Sequence, residues 1–141
     1  MDVGLQRCAM PNPIKILLVE DNEDDEHLTM RSLRKWDREV EFEVVRDGQE
    51  ALDRLMNDAL PSPFVVLLDI NLPKIGGISV LNQVRANPLT AELPVIVLVS
   101  SDEPSKMRAG YETCASWSLQ KPLSIESFVL AIKSMGLHLP D

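Results

Sequence analysis

Residues 64–69 read FVVLLD, an unbroken apolar run of strand length that stops at an aspartate. A strand with one wet face alternates apolar and polar residues, whereas a run apolar throughout is covered on both faces, as in a parallel sheet between helices. The same pattern recurs on either side. Ile14–Val19 reads IKILLV and stops at Glu20 and Asp21; residues 94–99 read PVIVLV and stop at Ser100 and Ser101. Residues 41–46 (EFEVVR) and 115–120 (ASWSLQ) are less apolar candidate strands, and the second stops at Lys121-Pro122.

Amphipathic stretches fill the intervals, at about 24–36, 49–56, 78–85, 104–113 and 124–135. The first begins with Asp24, Asp25 and Glu26, which suit a helix N-terminus, and sets Leu28, Leu33 and Trp36 at near-helical spacing. In the last, Ser124 is the expected N-cap and Ile125, Phe128, Val129 and Ile132 form the apolar stripe. The order is (βα)5, an α/β fold with a parallel sheet covered on both faces.

The 141 residues suit one domain, and an apolar share of 45% can fill its core. The 14 Lys and Arg against 22 Asp and Glu leave a net charge of −8. That excess argues against a nucleic-acid surface and against docking on an anionic membrane. No apolar run approaches the ~18 residues of a transmembrane helix. Cys8 and Cys114 stand far apart with no CxxC or Cys/His cluster, so neither a disulfide framework nor a zinc site is expected. A reduced, cytoplasmic setting follows as the default. The expected organisation is a flexible leader over 1–13, one folded domain over 14–135 and a short tail over 136–141, with no output domain.

In an open α/β sheet, functional groups gather at the carboxyl ends of the strands. Here those ends carry Glu20, Asp21, Asp69, Ser100, Ser101 and Lys121. Clustered carboxylates repel one another unless a cation offsets them, and hard oxygen donors suit Mg2+. No glycine-rich phosphate loop is present. A carboxylate beside Mg2+ and a lysine can attack a phosphoryl group and become an aspartyl phosphate.

The stretches LLVEDNEDDEHL, RDGQEAL, LLDINLPKIGG, LPVIVLVSSD and LQKPLSIESF occur in that order. Over residues 14–132 the chain resembles the receiver domains of two-component response regulators. VEDNEDD and RANPLTAELPVIVL resemble the small stand-alone receivers that serve phytochrome-type histidine kinases. The resemblance implies a flavodoxin-like three-layer sandwich with strand order 2-1-3-4-5. It implies Asp69 as phosphoacceptor, with Mg2+ held by Glu20, Asp21, Asp69 and the backbone carbonyl of Asn71. It further implies that Lys121 contacts the phosphate, that the Lys121–Pro122 bond is cis, and that Ser100 or Ser101 adds a hydroxyl. Pro73 and Gly77 match the turn after the acceptor. The implied partner is a histidine kinase, and the face made by residues 104–113, 115–120 and 124–135 is the family's dimer surface.

Two positions depart from the family. Val99 stands where a Thr or Ser follows the phosphate, and Ser118 stands where an aromatic ring swings inward on activation. Gly76 replaces a common acidic residue. Val99 and Ser118 therefore favour, as an alternative, a degenerate receiver that signals by protein contact without a phosphorylation-driven switch. An Asp-nucleophile phosphatase is a further alternative, but it needs an acid/base carboxylate where Asn71 stands. The run Asp24-Asp25-Glu26 reads as a solvated helix start, His27 and His138 as surface groups, and Trp36 and Phe128 as packing residues.

Overall fold

The structure is a computed structural model and describes residues 13–100 and 115–139. Five strands form one parallel sheet in the order β2-β1-β3-β4-β5. They are β1 (Ile14–Val19), β2 (Val40–Val45), β3 (Val65–Asp69), β4 (Val95–Val99) and β5 (Trp117–Gln120). The described helices are α1 (Glu23–Leu33), α2 (Gly48–Leu55), α3 (Gly77–Ala86) and α4 (Ile125–Ser134). The helix expected at 104–113 and the hydroxyl of Ser101 lie outside the described residues.

Alternation along the strands builds two separate cores. Leu17, Val19, Val66, Leu68, Val95 and Val97 face α2 and α3, where they meet Leu52, Leu55, Val80, Leu81 and Val84. Ile14, Ile16, Leu18, Val65, Leu67, Ile96 and Leu98 face α1 and α4, where they meet Leu33, Phe128, Ala131 and Ile132. Three of the four described helices are started by side-chain caps, α3 beginning instead at Gly76 without one. Asn22 accepts from the Asp25 N–H, Asp47 from Glu50 and Ser124 from Ser127.

The first helix differs from the sequence expectation. It ends at Leu33, and Trp36 lies beyond it, edge-on to Phe128 with ring centroids 5.4 Å apart. Its buried residues are Glu26, Thr29 and Leu33, while Leu28 is 49% exposed. The expected apolar face is thus rotated, because Glu26 can be buried against the Arg46 guanidinium. The Glu26 carboxylate is therefore not part of a solvated run.

Two glycines let the loop after β3 close tightly. A Cβ on Gly77 would lie 2.7 Å from the Asp69 carbonyl oxygen and 2.8 Å from the Ile70 backbone. A Cβ on Gly48 would lie 2.3 Å from the Ile75 carbonyl oxygen. Lys74, at φ +64°, reaches back with Nζ 3.1 Å from Asp47 Oδ2. The loop that follows Asp69 is therefore pinned to the start of α2. Alanine has the better helix propensity by about 1 kcal/mol, yet the clash is with backbone, which yields little. Gly77→Ala is expected to destabilise the fold by about 1–3 kcal/mol, as overpacking does. A urea midpoint equal to or above that of the native chain would show that the loop absorbs the methyl group.

Candidate functional site

Three strand ends and one loop meet at the carboxyl edge of the sheet. The backbone bonds that finish the sheet hold them in place: Glu20 N–H to the Val45 carbonyl at 3.0 Å, Ile70 N–H to Leu98 at 3.2 Å and Lys121 N–H to Val99 at 2.7 Å. Strand alternation then aims the side chains. Glu20 continues the series Ile14, Ile16, Leu18, and Asp69 continues Val65, Leu67, so both turn toward the α1 and α4 side.

Glu20, Asp21 and Asp69 come together with one carboxylate oxygen each inside a 4.8 Å sphere of mutual distances. Glu20 and Asp69 are buried and Asp21 is exposed. Lys121, joined to Pro122 by a cis bond, sets its Nζ 3.1 Å from Asp69 Oδ2 and 3.0 Å from Glu20 Oε1. The Asn71 N–H donates to Asp69 Oδ1 at 3.0 Å, so each oxygen of Asp69 has a separate partner. Glu20 Oε1 is fully buried and within ion-pair distance of Lys121, yet no donor is aligned to hydrogen bond it. A buried oxygen without an aligned donor, beside two further carboxylates, is a donor set that fits a hard divalent cation.

The electrostatics follow from this crowding. Burial and the neighbouring Asp69 carboxylate push the Glu20 carboxyl up to about 8. Burial works against the Lys121 ammonium, but the hydrogen bond to Asp25 and the charges of Glu20 and Asp69 outweigh it, holding the ammonium above the ordinary lysine value. Asp47, away from this cluster, is held below the usual carboxylate range by the Glu50 N–H, with Lys74 adding to the effect.

Ser100 follows the end of β4 and lines a groove of about 370 Å3 with Asp25, Leu28, Thr29, Lys121, Pro122 and Leu123. Val99 instead packs toward the α2 and α3 core, on the other side of the sheet. Ser118 is exposed and pairs with Val97. Trp117 is 38% exposed and lines a different groove, with Ser134, Met135 and Leu137. The aromatic ring next to Ser118 thus faces away from it, as alternation requires.

One residue of the site escaped the sequence reading. In sequence Asp25 reads as part of a solvated helix start, but its Oδ2 lies 3.0 Å from Lys121 Nζ. The signal was Asn22: with Asn22 as N-cap, Asp25 falls in the first turn, where side chains lean toward the helix N-terminus and hence toward the rim of the sheet.

Residues 16–133 match the response regulator receiver domain family. The chain belongs to that family. This receiver is 35% identical over 127 residues to the probable methanogenesis regulatory protein FilR2 of Methanothrix harundinacea, covering 88% of this chain and 82% of that protein. It is 33% identical over 129 residues to response regulator Rcp1 of Synechocystis, covering 88% of each. The Mn(2+)-bound form of Rcp1 superposes with a TM-score of 0.73 over 92% of this chain and 100% of that one. The bacteriophytochrome response regulator AtBRR superposes with a TM-score of 0.80 at 38% identity, over 91% of this receiver and 96% of that chain. The flavodoxin-like fold and strand order expected from the sequence are those of the receiver. Among the described residues, no helix is long and apolar enough to cross a membrane.

The raised Glu20 value has a consequence for stability. Between pH 4.5 and about 8 the native chain holds a proton that the unfolded chain has released. Stability of the cation-free receiver is therefore expected to fall as pH rises through that window. Urea midpoints taken in chelator should show this slope in the native chain and a flatter profile in Glu20→Gln. Equal slopes would remove Glu20 as its source.

Proposed function

We propose that this receiver takes a phosphoryl group from a histidine kinase, of the phytochrome type, onto Asp69. The observation that carries the reading is the pairing of Asp69 with the Lys121 ammonium at 3.1 Å inside a group of carboxylates spaced to share a cation. An oxygen of Asp69 attacks phosphorus, the bond from phosphorus to the kinase histidine nitrogen breaks, and the electron pair leaves on the imidazole. The product is an acyl phosphate on Asp69.

Glu20, Asp21, Asp69 and the Asn71 carbonyl are the proposed holders of Mg2+, which when bound neutralises charge on the phosphoryl oxygens. Lys121 supplies a fixed positive charge at the same oxygens. The Ser100 hydroxyl, on the groove beside Lys121, is the proposed neutral donor. Buried walls under Asp69 limit competing water from below the sheet rim. The chain acts as a phosphoacceptor in the cytoplasm, with self-phosphorylation and self-dephosphorylation chemistry only, and its output is altered protein contact, including contact with a second copy through residues 115–120 and 124–135.

Incubation with acetyl phosphate and Mg2+ is expected to add the mass of one phosphoryl group to the native chain. Asp69→Asn should abolish the adduct while leaving the fold intact, and chelation of the metal should suppress it in the native chain. An Asn variant that labels stoichiometrically would place the acceptor elsewhere.

Val99 and Ser118 favour a second reading of the output. A phosphoryl group shifts an equilibrium only through its differential contacts with two states. Val99 has no donor to offer and packs into the α2 and α3 core, and Ser118 has no ring to move. Phosphorylation, or beryllofluoride with Mg2+, is therefore expected to change Trp117 emission little. Restoring Val99→Thr with Ser118→Tyr should enlarge the amide-exchange response of β5 and α4. A large native response abolished by Ser100→Ala would instead establish a switch displaced to Ser100.

A further inference from the structure

Lys121 has one positive charge and three N–H donors. Carboxylates from three separate elements reach it: Glu20 after β1, Asp69 at the end of β3 and Asp25 in the first turn of α1, at 3.0, 3.1 and 3.0 Å. Glu20 and Asp69 belong to the cation-spaced group, whereas Asp25 does not. Asp25 is half-buried and lies on the wall of the groove that also holds Ser100.

We propose that Asp25 is a positioning residue that acts through Lys121. In the resting receiver it occupies one donor of the ammonium, and so it competes with incoming phosphoryl oxygens for that donor. The proposal rests on Asp69 as the phosphoacceptor. When an Asp69 oxygen bonds to phosphorus and the donor's bond to phosphorus breaks (P–N in a phosphohistidine, P–O in acetyl phosphate), the transferred group brings up to two negative charges to the ammonium. One N–H is then already committed to Asp25, and the Asp25 charge adds repulsion across the same groove. Both effects weaken the hold on a phosphoryl-like anion. Partial exposure of Asp25 keeps the effect modest.

A purely structural role for Asp25 is separable. Its contribution to the helix cap is a backbone N–H donated to Asn22 Oδ1 at 2.9 Å, which a substitution retains. Its charge at the helix N-terminus is shared with Asp24 on the same turn. Asp25→Asn removes the charge and keeps the cap, Asp25→Ala removes the acceptor as well, and Asp24→Asn removes a charge from that turn without touching Lys121.

The rate of phosphorylation by acetyl phosphate with Mg2+ is measured against donor concentration, alongside the affinity for beryllofluoride by fluorine resonance. Asp25→Asn is expected to lower the half-saturating donor concentration and tighten beryllofluoride binding by about threefold, the scale of a partly exposed ion pair. Asp25→Ala should do at least as much, Asp24→Asn should match the native chain, and added salt should shrink the difference. An effect confined to the maximal rate, weaker binding in Asp25→Asn, or an equal effect from Asp24→Asn would overturn the proposal. If the native chain accepts no phosphoryl group, the Asp69 reading fails by itself and beryllofluoride affinity still decides the competition. Equal affinities, or no binding by any variant, then overturn it.

Discussion

A single ammonium among carboxylates governs this molecule. Lys121 Nζ lies about 3 Å from oxygens of Glu20, Asp25 and Asp69, with Asp21 close to two of them. One positive charge cannot offset four carboxylates, so the rim is left with negative charge to spare and with Glu20 pushed toward its neutral form. That unbalanced charge is what makes the edge receptive to a divalent cation. It is also what a phosphoryl group must contend with when it arrives.

The rest of the fold holds this charge arrangement against its own repulsion. Two apolar cores clamp the sheet from opposite sides and fix the direction in which each strand end points. Backbone bonds carry the sheet one residue past β1 and β3, to Glu20 and Ile70, so the acidic side chains begin where the ladder is still rigid. Gly77 lets α3 start against the backbone of Asp69 and Ile70, and Gly48 admits Ile75 beside α2. The Lys74–Asp47 pair closes the same loop from outside. The site is precise because its supports are buried or jammed together.

The departures at Val99 and Ser118 take their meaning from the same alternation. Val99 belongs to the α2 and α3 side and Ser100 follows the strand onto the side of Lys121. Trp117 lies over the end of α4, opposite in sense to Ser118. The residues proposed for chemistry meet at the rim, whereas Val99 and Ser118 depart from the pattern that the family resemblance implies for transmission through β5.

The sequence by itself determined the parallel sheet, because fully apolar runs such as FVVLL can be buried only between two layers. It also placed Glu20, Asp21, Asp69 and Lys121 at one rim, because they stand at the ends of the candidate strands, whereas Asn71 is marked only by the family resemblance. Tertiary structure alone decided the rotation of α1. An isolated helix would turn Leu28 inward, yet Arg46, twenty residues away, allows Glu26 to be buried and leaves Leu28 at the groove. It likewise decided the role of Asp25, whose partner Lys121 is 96 residues distant. Both are ion pairs between charges remote in sequence, and local patterns of apolar residues carry no record of which distant charge a side chain will meet.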